Sequence, residues 1–356
     1  MSFNQAANKT TVFCSFHANR RIVLCNKTKY ISDEDLFMKN LTVNQIINAD
    51  FRVSSESPVL KPWGGSIVVA DPSLLTPDIS HDGKWHMFFH TTFGIWHFTS
   101  DDGVSFKKTK KVANRAMRPN INYIDGKYYL FYERTRPLIM NGLNVINAVK
   151  WKSEIYVIES TDLESWSKPA PVITNTREFE KSERGMSISN PFLLRENGIN
   201  RLYYSCGLTF IKDCGFCEPT YINYAESKDI ATGYVSAEKP IISPDKNNPY
   251  LNLCSGCLKV YKLSDGYIGI QNGLYERNGK SHSAIFLLTS ENGLSFEFNK
   301  VIIEPCVVDG KDWMKQFVYA SHLVKHGNKL RLYFNARDTS DMLRGRECIG
   351  FAEAEI

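Results

Sequence analysis

The chain has 356 residues, of which 43% are hydrophobic and 23% charged, so it can bury a large core without disulfide staples. Its 43 lysines and arginines against 38 acidic residues leave a formal charge of +5, with the basic residues spread along the chain, which argues against a nucleic-acid partner. No apolar run approaches the roughly 18 residues of a membrane span.

The start, Met1 to Thr10, lacks the basic-then-apolar pattern of a secretory signal, so a cytoplasmic location is expected. The segment from Ser32 to Ile47 is the one helix signal, with Ser32 placed to cap it, or else a packed N-terminal arm. From there on the periodic segments are short, rich in Tyr, Phe, Val and Ile, and separated by Asp-Gly, Asn-Gly and Gly-Lys turns, which predicts strands.

A phrase recurs among these strands: Phe98 to Phe106, Ile158 to Trp166, Tyr224 to Ile230, Leu288 to Phe296, and a worn copy from Gly350 to Ile356. Ahead of each copy lies a turn and an apolar-aromatic run, as in Lys127-Tyr-Tyr-Leu-Phe-Tyr132. A repeat of about 60 residues suits radial blades of four strands and is too long for helical solenoid units. The expected fold is all-β, a five-bladed β-propeller. An N-terminal arm, 1–60, precedes blades near 61–111, 112–172, 173–242, 243–303 and 304–356. An open ring leaves an unpaired edge, and the arm around Thr11 to Phe16 is a candidate closing strand. The longest insertions, 135–151 and 207–221, have the size of functional loops.

Each blade opens on a short segment that carries a polar residue before an apolar strand. If these segments are equivalent, Asp71, Arg118 or Asn120, Asn190, Ser255, and Ser321 or His322 converge on the axis around one pocket. Convergent polar groups beside tryptophans and tyrosines suit a hydroxyl-rich ligand.

These segments resemble the five-bladed propeller glycosidases of glycoside hydrolase families 43, 32, 68 and 130. In family 43 the first blade carries Ala-Asp-Pro-Ser followed by two apolar residues, here Ala70 to Leu75, and its aspartate is the general base. The strand from Asp125 to Tyr132 and the strand end from Ser160 to Trp166 also look like that family, and the resemblance covers residues 58–356. It implies a carbohydrate-active enzyme of glycosidase type, with Asp71 as base or nucleophile and no required cofactor.

The second carboxylate of that pattern is out of register. Where the family has Pro-Asp, this chain has Pro119-Asn120; where it has the acid of Glu-Gly-Pro, this chain has Ser189-Asn190-Pro191. An amide cannot donate a proton as a carboxylic acid does. The acid has moved, with Glu183 and Glu133 as candidates, or the leaving group is a phosphate held by Arg118, Arg134, Arg136 or Arg184, as in a cytoplasmic glycosyltransferase or phosphorylase. A non-catalytic sugar-binding ring is the remaining alternative. Against these stand plainer readings: an Asp-Pro turn at Asp71, an ion-paired loop at Glu133 to Arg136, a solvated face at Glu183 and a packing role for His322.

Nine cysteines in a chain without an export signal read as reduced thiols or metal ligands. Cys214, Cys217, Cys254 and Cys257 form two Cys-x-x-Cys pairs, a spacing that can grip zinc, and neighbouring blades could share one ion. Redox-active or simply buried thiols are the alternatives.

Overall fold

The computed structural model describes residues 38, 40–174, 177–341 and 343–356, all within one compact unit, Ile31–Ile356. Five sheets, antiparallel but for Gly185–Met186 alongside Trp151–Ser160, form a five-bladed β-propeller. Blade 1 comprises Ala70–Leu75, Trp85–Thr91, Gly94–Ser100 and Lys107–Ala113; blade 4 comprises Cys254–Lys262, Tyr267–Arg277, Lys280–Ser290 and Glu297–Ile303. Blade 2 starts from Ala116–Ile124 and Lys127–Thr135, and blade 3 from Ile188–Glu196 and Ile199–Cys206.

Blade 5 supplies only three of its own strands, Phe317–His326, Lys329–Arg337 and Glu347–Glu355. Its fourth is Arg52–Val53, which pairs with the last strand at Glu353 and Ala352 and so closes the ring. The expected closing segment around Thr11, and Ser32, lie outside the described residues. Of the expected helical segment Met38 is helical, and a described helix, α1 (Val43–Asn48), is opened by the capping box of Thr42 and Gln45. A second helix, α2 (Leu138–Val145), fills the first insertion and had no sequence signal.

The core lies between blades. Leu74, Trp85, Met87 and Phe89 of blade 1 pack on Val324, Tyr333 and Phe351 of blade 5, while Leu75, Phe88 and Ile95 pack on Ile121, Tyr128 and Leu130 of blade 2. Burying both faces of each blade makes the ring one cooperative unit.

The recurring phrase is a turn between the third and fourth strands of a blade. Asp102 Oδ1 accepts from the backbone N–H groups of Val104 and Ser105 at 2.7 Å each, and Asp162, Asp229 and Asn292 do the same in blades 2, 3 and 4. Tyrosines of the preceding blade tie two of these turns down: Tyr333 donates to Gly103 O at 2.6 Å and Tyr203 to Gly293 O at 2.8 Å. The most visible sequence signal is therefore structural, and it sits at the end of the blades opposite the starts of the inner strands.

A buried hydroxyl adds to the backbone pairing that closes the ring. Ser57, fully buried, donates to Phe351 O at 3.1 Å and accepts from Phe351 N at 3.0 Å, bridging the closing segment to the last strand. Ser57→Ala is expected to cost about 1–3 kcal/mol, since the Phe351 N–H loses its acceptor while the Phe351 carbonyl keeps only the Ser54 N–H, at 3.0 Å. Urea unfolding of both proteins measures it, and an unchanged midpoint would show that closure rests elsewhere.

Candidate functional site

Each inner strand breaks register once near its start, between Ala70 and Ser73, Met117 and Asn120, Ser189 and Phe192, Cys254 and Cys257, and Val318 and Ser321. In four blades a residue of this bulge takes a left-handed backbone: Asp71 (φ 54°), Arg118 (φ 52°), Asn190 (φ 49°) and Gly256 (φ 59°). Such a conformation is uncommon outside glycine, and least expected for arginine. It costs on the order of 1–3 kcal/mol per residue and concentrates at functional sites.

Past the bulges, polar side chains of four inner strands bond across to the inner strand of the next blade. Ser73 Oγ accepts from Ile121 N at 3.0 Å, Asn120 Oδ1 from Leu193 N at 2.9 Å, Tyr261 Oη from Leu323 N at 2.9 Å and His322 Nδ1 from Leu74 N at 2.8 Å. Asn120 and His322 thereby join blades rather than present free groups to a ligand. Burial beside Lys259 pulls His322 down to about 3, so its ring is a neutral acceptor.

Asp71 is the centre of the charged cluster. Its Oδ2 lies 3.1 Å from Nδ1 of the buried His90, and its backbone N–H donates to Asn335 Oδ1 at 3.1 Å. Burial alone would raise the carboxyl, but the hydrogen bond and charge of His90, with Arg118 and Lys259 nearby, hold it below the usual carboxylate range. Lys259, buried on the inner strand of blade 4, is itself pulled down by burial.

Glu133 is fully buried at the end of the second strand of blade 2 and forms a short ion pair with Arg118 Nη1. Burial works against the guanidinium's charge, yet Glu133, Asp71 and Glu218 hold Arg118 above its ordinary value. The pairing engages Glu133 within the cluster.

A carboxyl that the sequence pattern missed is that of Glu218. It ends a short hairpin, Thr209–Ile211 with Phe216–Glu218, inside the second insertion. Asp213 anchors that hairpin to blade 4, accepting from Ser281 Oγ at 2.6 Å and Ser281 N at 2.8 Å. The carbonyls of Pro219 and Thr220 accept from the Gly256 and Ser255 backbone N–H groups at 3.2 Å each, which fastens Glu218 to the blade 4 bulge. Ser255 thus contributes backbone, with its side chain fully buried. Burial, reinforced by Asp71 and Glu133 and opposed by Arg118 and Arg337, pushes Glu218 up to about 7. Its carboxyl has no hydrogen-bond or ion-pair partner among the described residues, and part of its surface stays open.

Glu347, at the start of the third strand of blade 5, is also pushed up by burial to about 7, but it accepts from Asn335 Nδ2 and lies 3.6 Å from Arg337 Nη1. Glu183 stands apart: it is exposed on a turn of blade 2, and only its carbonyl is engaged, by Lys150 Nζ. Arg134 stacks on Tyr156 at 4.9 Å, and Arg136 is half-buried at the head of the first insertion.

Beside the cluster lies a cavity of about 150 Å³ lined by Arg118, Trp151, Arg184, Ser187, Phe210 and Cys217 among others. The two insertions build it. Asn144 of α2 donates to the Arg184 carbonyl at 3.3 Å, and that carbonyl also accepts from Trp151 N at 2.8 Å.

The four cysteines do not meet as ligands. Cys214 and Cys254 belong to an apolar cluster with Leu274 and Phe317, Cys257 is buried on the inner strand, and Cys217 faces the cavity. Among the described residues no group of three or more His, Cys, Asp or Glu side chains is placed to hold a metal ion. Burial raises all four thiols, to about 12 for Cys214 and about 11 for Cys257, which keeps them protonated. One Cys-x-x-Cys pair lies on the second-insertion hairpin and the other flanks the blade 4 bulge.

No family model and no curated protein sequence matches the chain. Solved structures do match its fold. The catalytic domain of the Coprinopsis cinerea GH62 α-L-arabinofuranosidase superposes with a TM-score of 0.60 at 14% identity, covering 86% of this chain and 97% of that one. An N-acetylgalactosamine deacetylase from F. plautii, in complex with blood group B trisaccharide, gives 0.60 at 14% identity over 86% and 96% of the two chains. An exo-1,5-α-L-arabinanase from a bovine ruminal metagenomic library gives 0.52 at 13% identity over 83% and 94%. At such identities the likeness establishes the propeller and its closed ring.

The raised carboxyls make stability pH-dependent. A group lifted from an ordinary 4.5 to about 7 favours the folded state fully below pH 4.5 and loses that contribution as pH rises through 7. Glu218→Gln removes its share of the loss, so the decline in unfolding free energy between pH 4.5 and 7 is expected to be shallower in the variant. Denaturant titrations across that range check it; parallel curves would mean that Glu218 is not lifted.

Proposed function

We propose that the protein is a carbohydrate-active enzyme of glycosidase type that cleaves or transfers a glycosyl unit, with Asp71 as base or nucleophile and Glu218 as the proton donor. One observation carries this reading: two carboxyls in a single charged cluster have environments that drive their protonation in opposite directions. A pair of that kind is what glycosidic bond cleavage needs, one group to protonate the leaving oxygen and one to act on water or the anomeric carbon.

The division of labour follows from the contacts. Asp71 is held ionised by His90 and two nearby cations, so it can accept a proton or attack the anomeric carbon. Glu218 is unpaired, partly open and protonated up to about pH 7, so it can donate and, once ionised, be stabilised by Arg118 and Arg337. Arg118 cannot be the sole anchor for a departing phosphate, since one edge of its guanidinium is already bound by Glu133. Names borne by the structural relatives, an arabinofuranosidase and an arabinanase among them, support a sugar substrate, while the deacetylase among them shows that the ring hosts other chemistry too.

The two roles have a kinetic signature. On whichever member of a panel of aryl and alkyl glycosides the wild type turns over, Asp71→Asn is expected to abolish activity on both leaving groups. Glu218→Gln should lower turnover of alkyl glycosides by roughly 10²–10⁴-fold, and that of aryl glycosides, which depart without protonation, far less. The wild-type rate should fall as pH rises above about 7, where Glu218 loses its proton, and Glu218→Gln should lack this alkaline limb. Full activity in Asp71→Asn, or an alkaline limb that survives Glu218→Gln, would overturn these roles.

A further inference from the structure

We infer that the cavity beside the reacting groups is built for an oxyanion, so that the sugar taken here carries a carboxylate, as a uronic acid does, or a phosphate ester. This rests on reading the axial cluster as a glycosyl-transfer site, and it names the substrate class that such a site would accept.

The first observation is charge. Arg118 and Arg184 are the charged side chains among the cavity's lining residues, and no carboxylate is among them. Arg118 has its Glu133 partner on one edge only, which leaves further N–H donors on the cavity side. Arg184 has no ion pair and no hydrogen bond from its guanidinium among the described residues; its Cζ lies over the Phe210 ring, 4.0 Å from the centroid. A guanidinium held on an aromatic face with its donor edge unpaired matches a carboxylate or phosphate by two parallel hydrogen bonds. A neutral hydroxyl would satisfy one donor and leave the charge without a counter-ion.

The second observation is that the fold fixes this arginine in place. Its carbonyl accepts from Trp151 N and Asn144 Nδ2, and its N–H donates to Ser182 Oγ at 3.2 Å. The next residue is Gly185, with φ 130°, where a Cβ would come within 2.2 Å of Trp151 O. Only glycine lets this turn of backbone close against the strand, so the position of Arg184 is set before any ligand arrives. Ser187 accepts from Ser153 Oγ at 3.5 Å, which leaves its own hydroxyl hydrogen available to the cavity, and Trp151 can offer its ring to a sugar face.

The substituent and the reacting centre are joined through two residues. Arg118 belongs to both the cavity wall and the charged cluster, and Glu218 stands between Cys217 and Pro219, which both line the cavity. A sugar anchored by its anionic group on Arg184 would therefore extend along Arg118, which interacts electrostatically with both Glu218 and Asp71.

Arginine labelling of the intact wild-type protein by phenylglyoxal, read by peptide mass spectrometry, tests this without any need for turnover. The probes are glucuronate, inorganic phosphate and glucose, with Arg344, whose side chain is 89% exposed, as internal control. Glucuronate or phosphate should slow labelling of Arg184, by about tenfold once the anion exceeds its dissociation constant about tenfold, while Arg344 and the glucose samples stay unchanged. Protection by glucuronate alone names a uronic acid, and by phosphate alone a sugar phosphate. No protection by either anion, equal slowing at Arg344, or equal protection by glucose would overturn the inference. Because labelling is independent of Asp71, protection in a protein that cleaves no glycoside would sink the catalytic reading and leave the anion site standing.

Discussion

Everything at the axis depends on one backbone irregularity repeated around the ring. A straight inner strand would alternate its side chains between neighbouring blades and place none in the centre. The single bulge near the start of each strand shifts the alternation, so that one residue turns inward while the next bonds to the adjacent blade. Asp71 with Ser73, and Arg118 with Asn120, show the two roles side by side. The strain of a left-handed arginine persists because packed blades on both sides determine the backbone there more strongly than the local preference opposes it.

Once those residues are fixed, electrostatics distributes their protons. Asp71, Glu133, Glu218 and Glu347 share a poorly hydrated region with Arg118, Arg337 and Lys259, so the carboxyls cannot all be ionised at equal cost. Asp71, hydrogen-bonded to His90, keeps its charge. Glu218, with no such partner, is left to hold a proton. Its acidity is thus a property of the cluster, which is why a buried but unpaired glutamate is a more informative feature than any one residue's identity.

The same logic explains what could and could not be read from sequence. Repeat length, turn phrases and the Ala-Asp-Pro-Ser segment declare the ring and Asp71, because strands and turns are local and recur in register. Ion pairing between Arg118 and Glu133 spans a hairpin, so both residues could be noticed without their partnership being visible. Glu218 had no register to betray it: it lies in an insertion, and the flanking Cys214 and Cys217 drew attention to metal chemistry instead. The available signal was the size of that insertion, together with the absence of an acid at Asn190 in the same blade. Ring closure was legible as a need, but a two-residue strand such as Arg52–Val53 carries too little pattern to be seen in advance.

An acid on an insertion hairpin must be held as firmly as one on a blade if it is to act from a fixed position. Here the firmness comes from the neighbour. Asp213 fastens the turn of the hairpin to Ser281, Cys214 and Ile211 pack against Leu274 and Phe317, and two carbonyls just beyond Glu218 accept from the blade 4 bulge. Blade 4 has Ser255 and Gly256 where other blades have Asp71 or Arg118, and a side chain longer than hydrogen at Gly256 would collide with Asn272 O, 2.2 Å from a Cβ. Blade 4, which contributes no charged residue at its own bulge, is the one that receives the hairpin. Blade 3 lacks an acid at Asn190 and delivers one by its loop, and blade 4 gives up its inward side chain to seat it, so that the two departures from the repeat complement each other.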